Sequence, residues 1–515
     1  MDSTTTTNSG PWKSPQLATY LFIYLFVGLI VDPSRTLLGD LDVCWLIRTG
    51  ELIWQTGHLP TTDVFSFTHQ GKPWILYQWG FELFIGALHL IAGLGGVVWG
   101  GAFLVSLTYA TLFYFLLRLG INRGFSIALI ALVMKINSFN WLSRPNTVSV
   151  LFYVFLLLLL ENYRKSHSRR ICYLPLLFIL WANVHLGFIS GLMVLILYAF
   201  WCHFSPNDFW ANKKQNDNRL ITILIFCILA TFINPYGHHL FVYLWDLSMA
   251  STMNANILEL QSPDFHSYVH FTLIILLVLL LWSGAFKYHG RKVFLSLSSI
   301  TLVMALYSAR HIPYFSIPAI IHIAYTWLAH KNQTTDVCIP RFDQCDGWGW
   351  GVIIAVLSLI IIVSISNLRP EFYNFNNKLI PEKAVSYLNK KEDIGPQPFR
   401  VFTSANGAQW NDYLLYKLYP KVRVFIDTRF DMYGETFFKK YLLLVENLQC
   451  DLKSIESFKV DFLIFDKTKE QKSQKIEGIH PITPLGPPPA SPPWKLVYED
   501  EKSVIYENLD NVCEK

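Results

Sequence analysis

Between residues 17 and 366 the chain is a series of apolar runs near the length a helix needs to cross a hydrocarbon core of about 30 Å. Inside lipid a backbone must satisfy its own N–H and C=O groups, so each run has to fold as a helix. The runs lie near 17–33, 96–118, 124–140, 146–162, 171–184, 187–203, 219–234, 267–283, 292–308, 312–329 and 347–366. The expected fold class is a polytopic α-helical membrane protein of about 11 spans. Only 15% of residues are charged and 52% are hydrophobic, whereas a soluble domain carries about 25% charged residues. The net charge of +5 comes without a basic cluster, which argues against nucleic acid as a partner. The eight cysteines form no CxxC pair, so neither a zinc nor a redox motif is supported. The polar N-terminus leads into an apolar run without a small-x-small cleavage site, so that run reads as a retained first span.

Loop charges set the sidedness. With the N-terminus inside, the inner loops are 118–123, 162–171, 203–219, 284–292 and 330–346. They carry Arg118 and Arg123; Arg164, Lys165, Arg169 and Arg170; Lys213, Lys214 and Arg219; Lys287, Arg291 and Lys292; and Lys331 and Arg341. The short outer loops contribute only Arg144 and Arg310, and 235–266 has no Lys or Arg. This is a positive-inside pattern. It places Cys338 and Cys345 on the cytoplasmic side, where thiols stay reduced, and residues 367–515 outside. The first outer segment, 34–95, is too long for a plain connection. Its stretch 75–94 is apolar but carries Gln78, Glu82 and His89. It reads as an amphipathic helix along the interface, because an additional span would invert every later loop.

Residues 367–515 read as a soluble α/β domain. Strand-like runs begin at Arg400, Val422, Phe462, Trp494 and Ser503, helix-like stretches cover 381–390 and 436–447, and a Pro-rich loop covers 481–493. No phosphate-binding glycine loop is present, so the domain reads as a lid or recognition module.

The residues able to carry chemistry gather on the predicted outer face. Asp40 and Asp42 follow the first span, in LLGDLDVCW. Two carboxylates at i and i+2 can share a divalent metal ion or divide base and orienting roles. Arg144 and Arg310 stand at the outer ends of two other spans, where guanidinium suits phosphate through paired hydrogen bonds. Their other reading is an internal ion pair with Asp40, Asp42 or Glu259. His185, in WANVHLG, and Asn234, in NPYGHH, follow two further runs. Asp63, in PTTDVFSFT, reads mainly as a turn former, and His238 and His239 lack a third ligand spaced for a metal. Lys135, inside an apolar run, is open between snorkelling and an acidic partner.

Motif order adds a resemblance. The stretches DLDVCWLIRTG (40–50), PTTDVFSFT (60–68), PWILYQWG (73–80), SRPN (143–146), WANVHLGF (181–188), NPYG (234–237), LELQSP (258–263) and ARHIP (309–313) occur in a specific order. So does the segment from NGAQWNDYLLY to VFIDTRFDMYG in the soluble part. In these the chain resembles uncharacterised bacterial multi-span membrane proteins of the GT-C glycosyltransferase superfamily. Three motifs depart from the family: Cys44-Trp45-Leu46 replaces W-W-H, Tyr77-Gln78-Trp79 replaces H-E-W, and Asp427-Thr428-Arg429 replaces D-G-R.

The resemblance implies a GT-C-like transmembrane domain over 1–366, with its large outer loop at 34–95, and an extracytoplasmic domain over 367–515. It implies transfer of a sugar from a polyprenyl-phosphate donor to a glycan, lipid or protein acceptor at the bacterial plasma membrane. Asp40 or Asp42 would be the base, with the other acid orienting it or holding a divalent ion. Arg144 and Arg310 would hold phosphate, and His185 and Glu259 complete the expected substrate-binding set. Competing readings are a flippase for a lipid-linked saccharide and a non-catalytic assembly or receptor protein.

Overall fold

The structure, a computed structural model, describes residues 14–31, 37–206, 218–283, 292–330, 373–376, 380–392, 397–404, 408–447, 455, 457–467 and 493–513. The predicted span 347–366, Cys338, Cys345 and nearly all of the Pro-rich loop 481–493 lie outside the described residues. The chain divides into two compact units. One takes Met1–Leu37, Ala92–Gly237 and Leu258–Phe372, and the other takes Leu38–Ile91, His238–Ile257 and Tyr373–Lys515.

In the first unit every predicted span up to 312–329 falls on a helix: Ser14–Val31, the later part of Trp79–Arg118, Arg123–Asn137, Pro145–Ser166, Leu174–Ala182, Phe188–Phe204, Arg219–Ala230, Tyr268–Trp282, Lys292–Tyr307 and Ile312–His330. Among the described residues, three helical stretches are long and apolar enough to cross a membrane: Trp79–Arg118, Pro145–Ser166 and Ala309–His330. The other apolar helices are shorter. Their boundaries follow local chemistry. Pro145 opens its helix after an extended Arg144, at the position where its missing N–H costs nothing. The Asn122 side chain accepts from the Phe125 N–H at 2.8 Å and caps Arg123–Asn137.

The Glu161–Arg164 charge pair is buried within this unit. Arg164 donates twice to Glu161, at 2.8 Å each. The Tyr198 hydroxyl donates to the same carboxylate at 3.0 Å, and Tyr325 donates to its other oxygen. Glu161 and Arg164 are almost fully buried, so Arg164 is not the solvent-facing loop cation that the charge count suggests. A buried pair persists only when its remaining polar atoms are also satisfied, and the two tyrosines do this from separate helices. Lys135, undecided from sequence, sits 4.8 Å from the centre of the Tyr268 ring as a cation–π contact.

The second unit is built on a five-stranded sheet: β1 (Phe399–Thr403), β2 (Val422–Val424), β3 (Phe462–Asp466), β4 (Trp494–Glu499) and β5 (Ser503–Asn508). Their order is β2-β1-β3-β5-β4, with β1 parallel to β2 and β3, and β5 antiparallel to β3 and β4. The expected strands and the expected helices near 381–390 and 436–447 are present. The helix Gln409–Leu418 was not expected. Trp410, Asn411, Asp412, Tyr413, Leu414, Leu415 and Leu418 are all buried, so it shows no clean polar stripe to read.

The segment 38–91 folds with this sheet. The Phe67 N–H donates to the Val424 carbonyl at 3.1 Å, and the Val424 N–H donates to the Phe65 carbonyl at 3.3 Å. The motif at 60–68 thus lies along the β2 edge. The apolar stretch 75–94 is helical from Trp79 and packs here too. A Cβ on Gly50 would stand 2.0 Å from the Glu82 carbonyl oxygen, and one on Gly86 would stand 2.5 Å from the Gly50 carbonyl carbon. The helix Asp42–Thr56 and the start of Trp79–Arg118 therefore cross with their backbones in contact. The longer helix loses helical geometry at Ala92 and Gly93, where the two units part.

Arg429 fixes this unit. It donates to Asp63 at 2.7 Å and to both oxygens of Asp427 at 2.8 and 2.6 Å. Its guanidinium lies 4.3 Å from the centre of the Trp74 ring and 4.9 Å from that of Phe65. Asp63 also accepts from the Phe65 N–H and from the Ser66 N–H and hydroxyl. The turn-forming role expected for it is present, joined to a long-range ion pair. Burial pushes the Asp63 carboxyl up, but Arg429 and these hydrogen bonds outweigh it and hold it below its ordinary value. Arg429→Met strands two buried carboxylates and costs about 3–5 kcal/mol, read as a loss of thermal stability. Because the folded Asp63 carboxyl is depressed, its stabilisation is present above the unfolded value of about 3.9 and is lost as pH falls through the folded value. Asp63→Asn is therefore expected to differ from wild type at pH 7 and to converge with it in acid. A constant difference across that range would contradict this.

Candidate functional site

The expected outer-face residues fall into two groups, one in each unit. In the first unit, Arg144, His185, Glu259 and Arg310 come together. Arg144 stands just before the helix Pro145–Ser166 and donates to Glu259 in a close ion pair. Arg310 approaches the other Glu259 oxygen at 3.6 Å. Two bonds hold the Glu259 segment against the Arg310 turn: the Ser308 hydroxyl donates to the Glu259 carbonyl at 3.1 Å, and the Ala309 N–H donates to the Gln261 carbonyl at 2.9 Å. One carboxylate thus bridges two guanidiniums. Arg144 foremost, with Arg310, holds the Glu259 carboxyl below its ordinary value against burial. The side chains of Arg144, Glu259 and Arg310 are 17%, 30% and 41% exposed, so the group is open to a ligand.

His185 belongs to this cluster. Burial first, then the charge of Arg310, drives its pKa down to about 3, with Glu259 offsetting only part. The ring is neutral at physiological pH. Asn234 stands apart as a turn former: its amide donates to the Thr231 carbonyl, and its oxygen accepts from the Tyr236 N–H, both at 2.8 Å. Asn183 ties the two turns, donating to the Ile233 carbonyl at 2.8 Å.

Asp40 and Asp42 belong to the second unit. The Asp42 N–H donates to Asp40 Oδ1 at 3.1 Å, and Asp42 lies in the first turn of Asp42–Thr56, where negative charge suits the helix dipole. Sequence reading passed over a third carboxylate. Asp412, fully buried on Gln409–Leu418, accepts from the Thr428 hydroxyl at 2.8 Å and the Thr428 N–H at 3.2 Å. Burial, then the charges of Asp42 and Asp427, pushes its carboxyl well above the ordinary range. Cys44, standing at the first position of the W-W-H motif, is buried among these acids, and burial with Asp412, Asp40 and Asp42 raises its thiol. The signal for Asp412 was present: it lies inside the resemblance segment beginning at Asn406, beside a helix that periodicity did not reveal. Among the described residues no group of three or more His, Cys, Asp or Glu is arranged to hold a metal ion.

No protein-family model matches the chain, and no curated protein matches it by sequence. Solved structures do match. The Archaeoglobus fulgidus oligosaccharyltransferase tethered with an acceptor peptide containing the NVT sequon aligns at a TM-score of 0.53 and 11% identity, covering 88% of this chain and 68% of that one. Its apo form aligns at 0.50 and 11%, covering 88% and 69%. The archaeal oligosaccharyltransferase AglB from the same organism, in complex with an inhibitory peptide and a dolichol-phosphate, aligns at 0.53 and 10%, covering 88% and 69%. At such identities the finding is one of fold alone.

The Glu259 bridge makes a stability prediction. Glu259→Gln removes the shared anion and lowers stability by about 1 kcal/mol at pH 7, a modest value because Arg310 is well solvated. The folded carboxyl is depressed, so this contribution is present above the unfolded value of about 4.3 and is lost as pH falls through the folded value. Thermal melts of both proteins between pH 7 and acid check it. Equal stability at pH 7 would show the bridge to be energetically idle.

Proposed function

We propose that the protein is a membrane glycosyltransferase that moves a sugar from a polyprenyl-phosphate-linked donor to an extracytoplasmic glycan, lipid or protein acceptor. The observation that carries the reading is the pairing of Arg144 and Arg310 across Glu259 beside a neutral His185. Two guanidiniums brought to one place suit a phosphate that gains charge as it leaves. The fold shared with an oligosaccharyltransferase supports the reaction class, and apolar helices suit a donor held in lipid.

In this mechanism Asp40 or Asp42 takes the proton from the acceptor hydroxyl while the other carboxylate orients it. The acceptor oxygen bonds to the anomeric carbon. The bond from that carbon to the phosphate oxygen breaks, and its electron pair stays on the phosphate. Arg144 and Arg310 neutralise the departing polyprenyl phosphate, and His185 donates a hydrogen bond to it. We place the protein in the bacterial plasma membrane, with its N-terminus cytoplasmic and its C-terminal domain outside.

The test is release of polyprenyl phosphate from radiolabelled polyprenyl-phosphate sugars by the purified protein, beside the Asp40→Asn/Asp42→Asn double variant. Loss of general-base catalysis lowers turnover by about 10²–10⁴-fold. A double variant that releases the carrier at the wild-type rate contradicts the assignment. Wild-type binding without release favours the flippase.

A further inference from the structure

His185 is held from behind by three groups that leave its ring only one favourable protonation pattern. Ser149 Oγ lies 2.7 Å from His185 Nδ1. The Gly187 backbone N–H donates to the same nitrogen at 3.1 Å. A backbone N–H can only donate, so Nδ1 must present its lone pair. Trp181 removes the remaining ambiguity. Its indole N–H, also a donor only, points at Ser149 Oγ at 2.7 Å. The serine oxygen accepts from Trp181, its own hydrogen is shared between Nδ1 and the Tyr314 hydroxyl, and the Gly187 N–H keeps Nδ1 an acceptor in either case. A ring carrying its proton on Nδ1 would face the Gly187 N–H donor to donor.

The supporting groups have little room to adjust. Ser149 and Trp181 are fully buried, and Trp181 packs against Phe152 and Phe178 with ring centres 5.9 and 5.8 Å apart. At Gly187 a Cβ would stand 2.5 Å from Ser149 Oγ, 2.7 Å from the Tyr314 hydroxyl and 2.9 Å from His185 Nδ1. Only glycine lets this backbone N–H come so close. Nε2 makes no hydrogen bond among the described residues. The charged and titratable groups around the ring are Arg310 and Glu259, with Arg144 across the carboxylate and Tyr314 and His311 on the adjacent helix.

We propose that Ser149 and Trp181 are positioning residues that lock His185 in the neutral tautomer carrying its proton on Nε2, so that the ring offers one fixed N–H donor to a phosphate oxygen held by Arg144 and Arg310. The phosphate part rests on the transferase reading. The tautomer part does not. A cation at this position would add charge to a site already holding two guanidiniums. A neutral donor instead adds direction, and it stays in one state through the physiological pH range.

Nitrogen NMR of the full chain in lipid nanodiscs, with ¹⁵N-histidine and His185→Gln to assign the signal, tests this. The wild type is expected to show a pyridine-type Nδ1 and a protonated Nε2 from pH 8 to pH 5 without lipid. Ser149→Ala leaves the Gly187 N–H alone on Nδ1, so the tautomer persists while the midpoint of ring protonation rises by about one unit, the effect of removing one hydrogen bond to the neutral form. Ser149→Thr, which keeps the hydroxyl, restores the wild-type midpoint. Trp181→Phe frees the Ser149 hydroxyl and raises the midpoint by less, which provides a second route should Ser149→Ala not fold. A wild-type ring protonated on Nδ1, or a midpoint unchanged in both Ser149→Ala and Trp181→Phe, overturns the proposal. Adding polyprenyl phosphate or inorganic phosphate then separates the two claims. Movement of the Nε2 signal with the lipid at concentrations where inorganic phosphate has no effect supports a lipid headgroup, and equal movement with both assigns the donor to phosphate of any source. No movement with either, over an intact tautomer, overturns the phosphate reading and leaves the lock standing.

Discussion

Glu259 is the constraint on which the candidate site depends. Arg144 and Arg310 lie far apart in sequence, each at the end of an apolar helix, and two guanidiniums repel when left alone together. One carboxylate between them turns that repulsion into an ordered group. His185 completes it as a neutral donor, fixed by Ser149, Gly187 and Trp181. Of the two alternatives left open at the sequence level, the internal ion pair is present, with Glu259 as its acid.

The second unit follows a comparable logic with a different balance. Arg429 is buried and matched by two carboxylates, and aromatic rings cover its face. The network runs through Nε and Nη2, while Nη1 has no hydrogen-bond partner among the described residues. Its two acids come from distant segments, Asp63 and Asp427, which explains why 38–91 folds with the C-terminal sheet rather than as a free loop. Asp412 differs again. Pressed by burial and by neighbouring acids, it stands beside Asp42 as a carboxyl that resists ionisation.

Much of this was legible in the sequence because apolar length and loop charge are strong signals. The runs marked as spans coincide with helices wherever residues are described, and the strands starting at Val422, Phe462 and Ser503 were visible as β-branched and aromatic runs. The sequence also marked Arg144, His185, Glu259 and Arg310, since polar residues at the ends of apolar runs are few. What it could not show was partnership. Glu161 reads as one acid near a loop, and only folding brings Tyr198 and Tyr325 to it. Ser149 reads as a small residue inside an apolar helix, and its importance lies in a neighbour 36 positions away. Helix Gln409–Leu418 was hidden for another reason: a helix buried on most of its surface loses the periodicity that reveals one.

The central claim is that Arg144 and Arg310 form a phosphate site for a lipid carrier. Its most direct test is binding of polyprenyl phosphate to the purified full chain in nanodiscs, comparing wild type with Arg144→Gln/Arg310→Gln. Saturable binding that weakens at least tenfold in the double variant, while inorganic phosphate at the same concentrations fails to compete, is the predicted result. Equal affinity in the two proteins, with the double variant folded, would contradict the account.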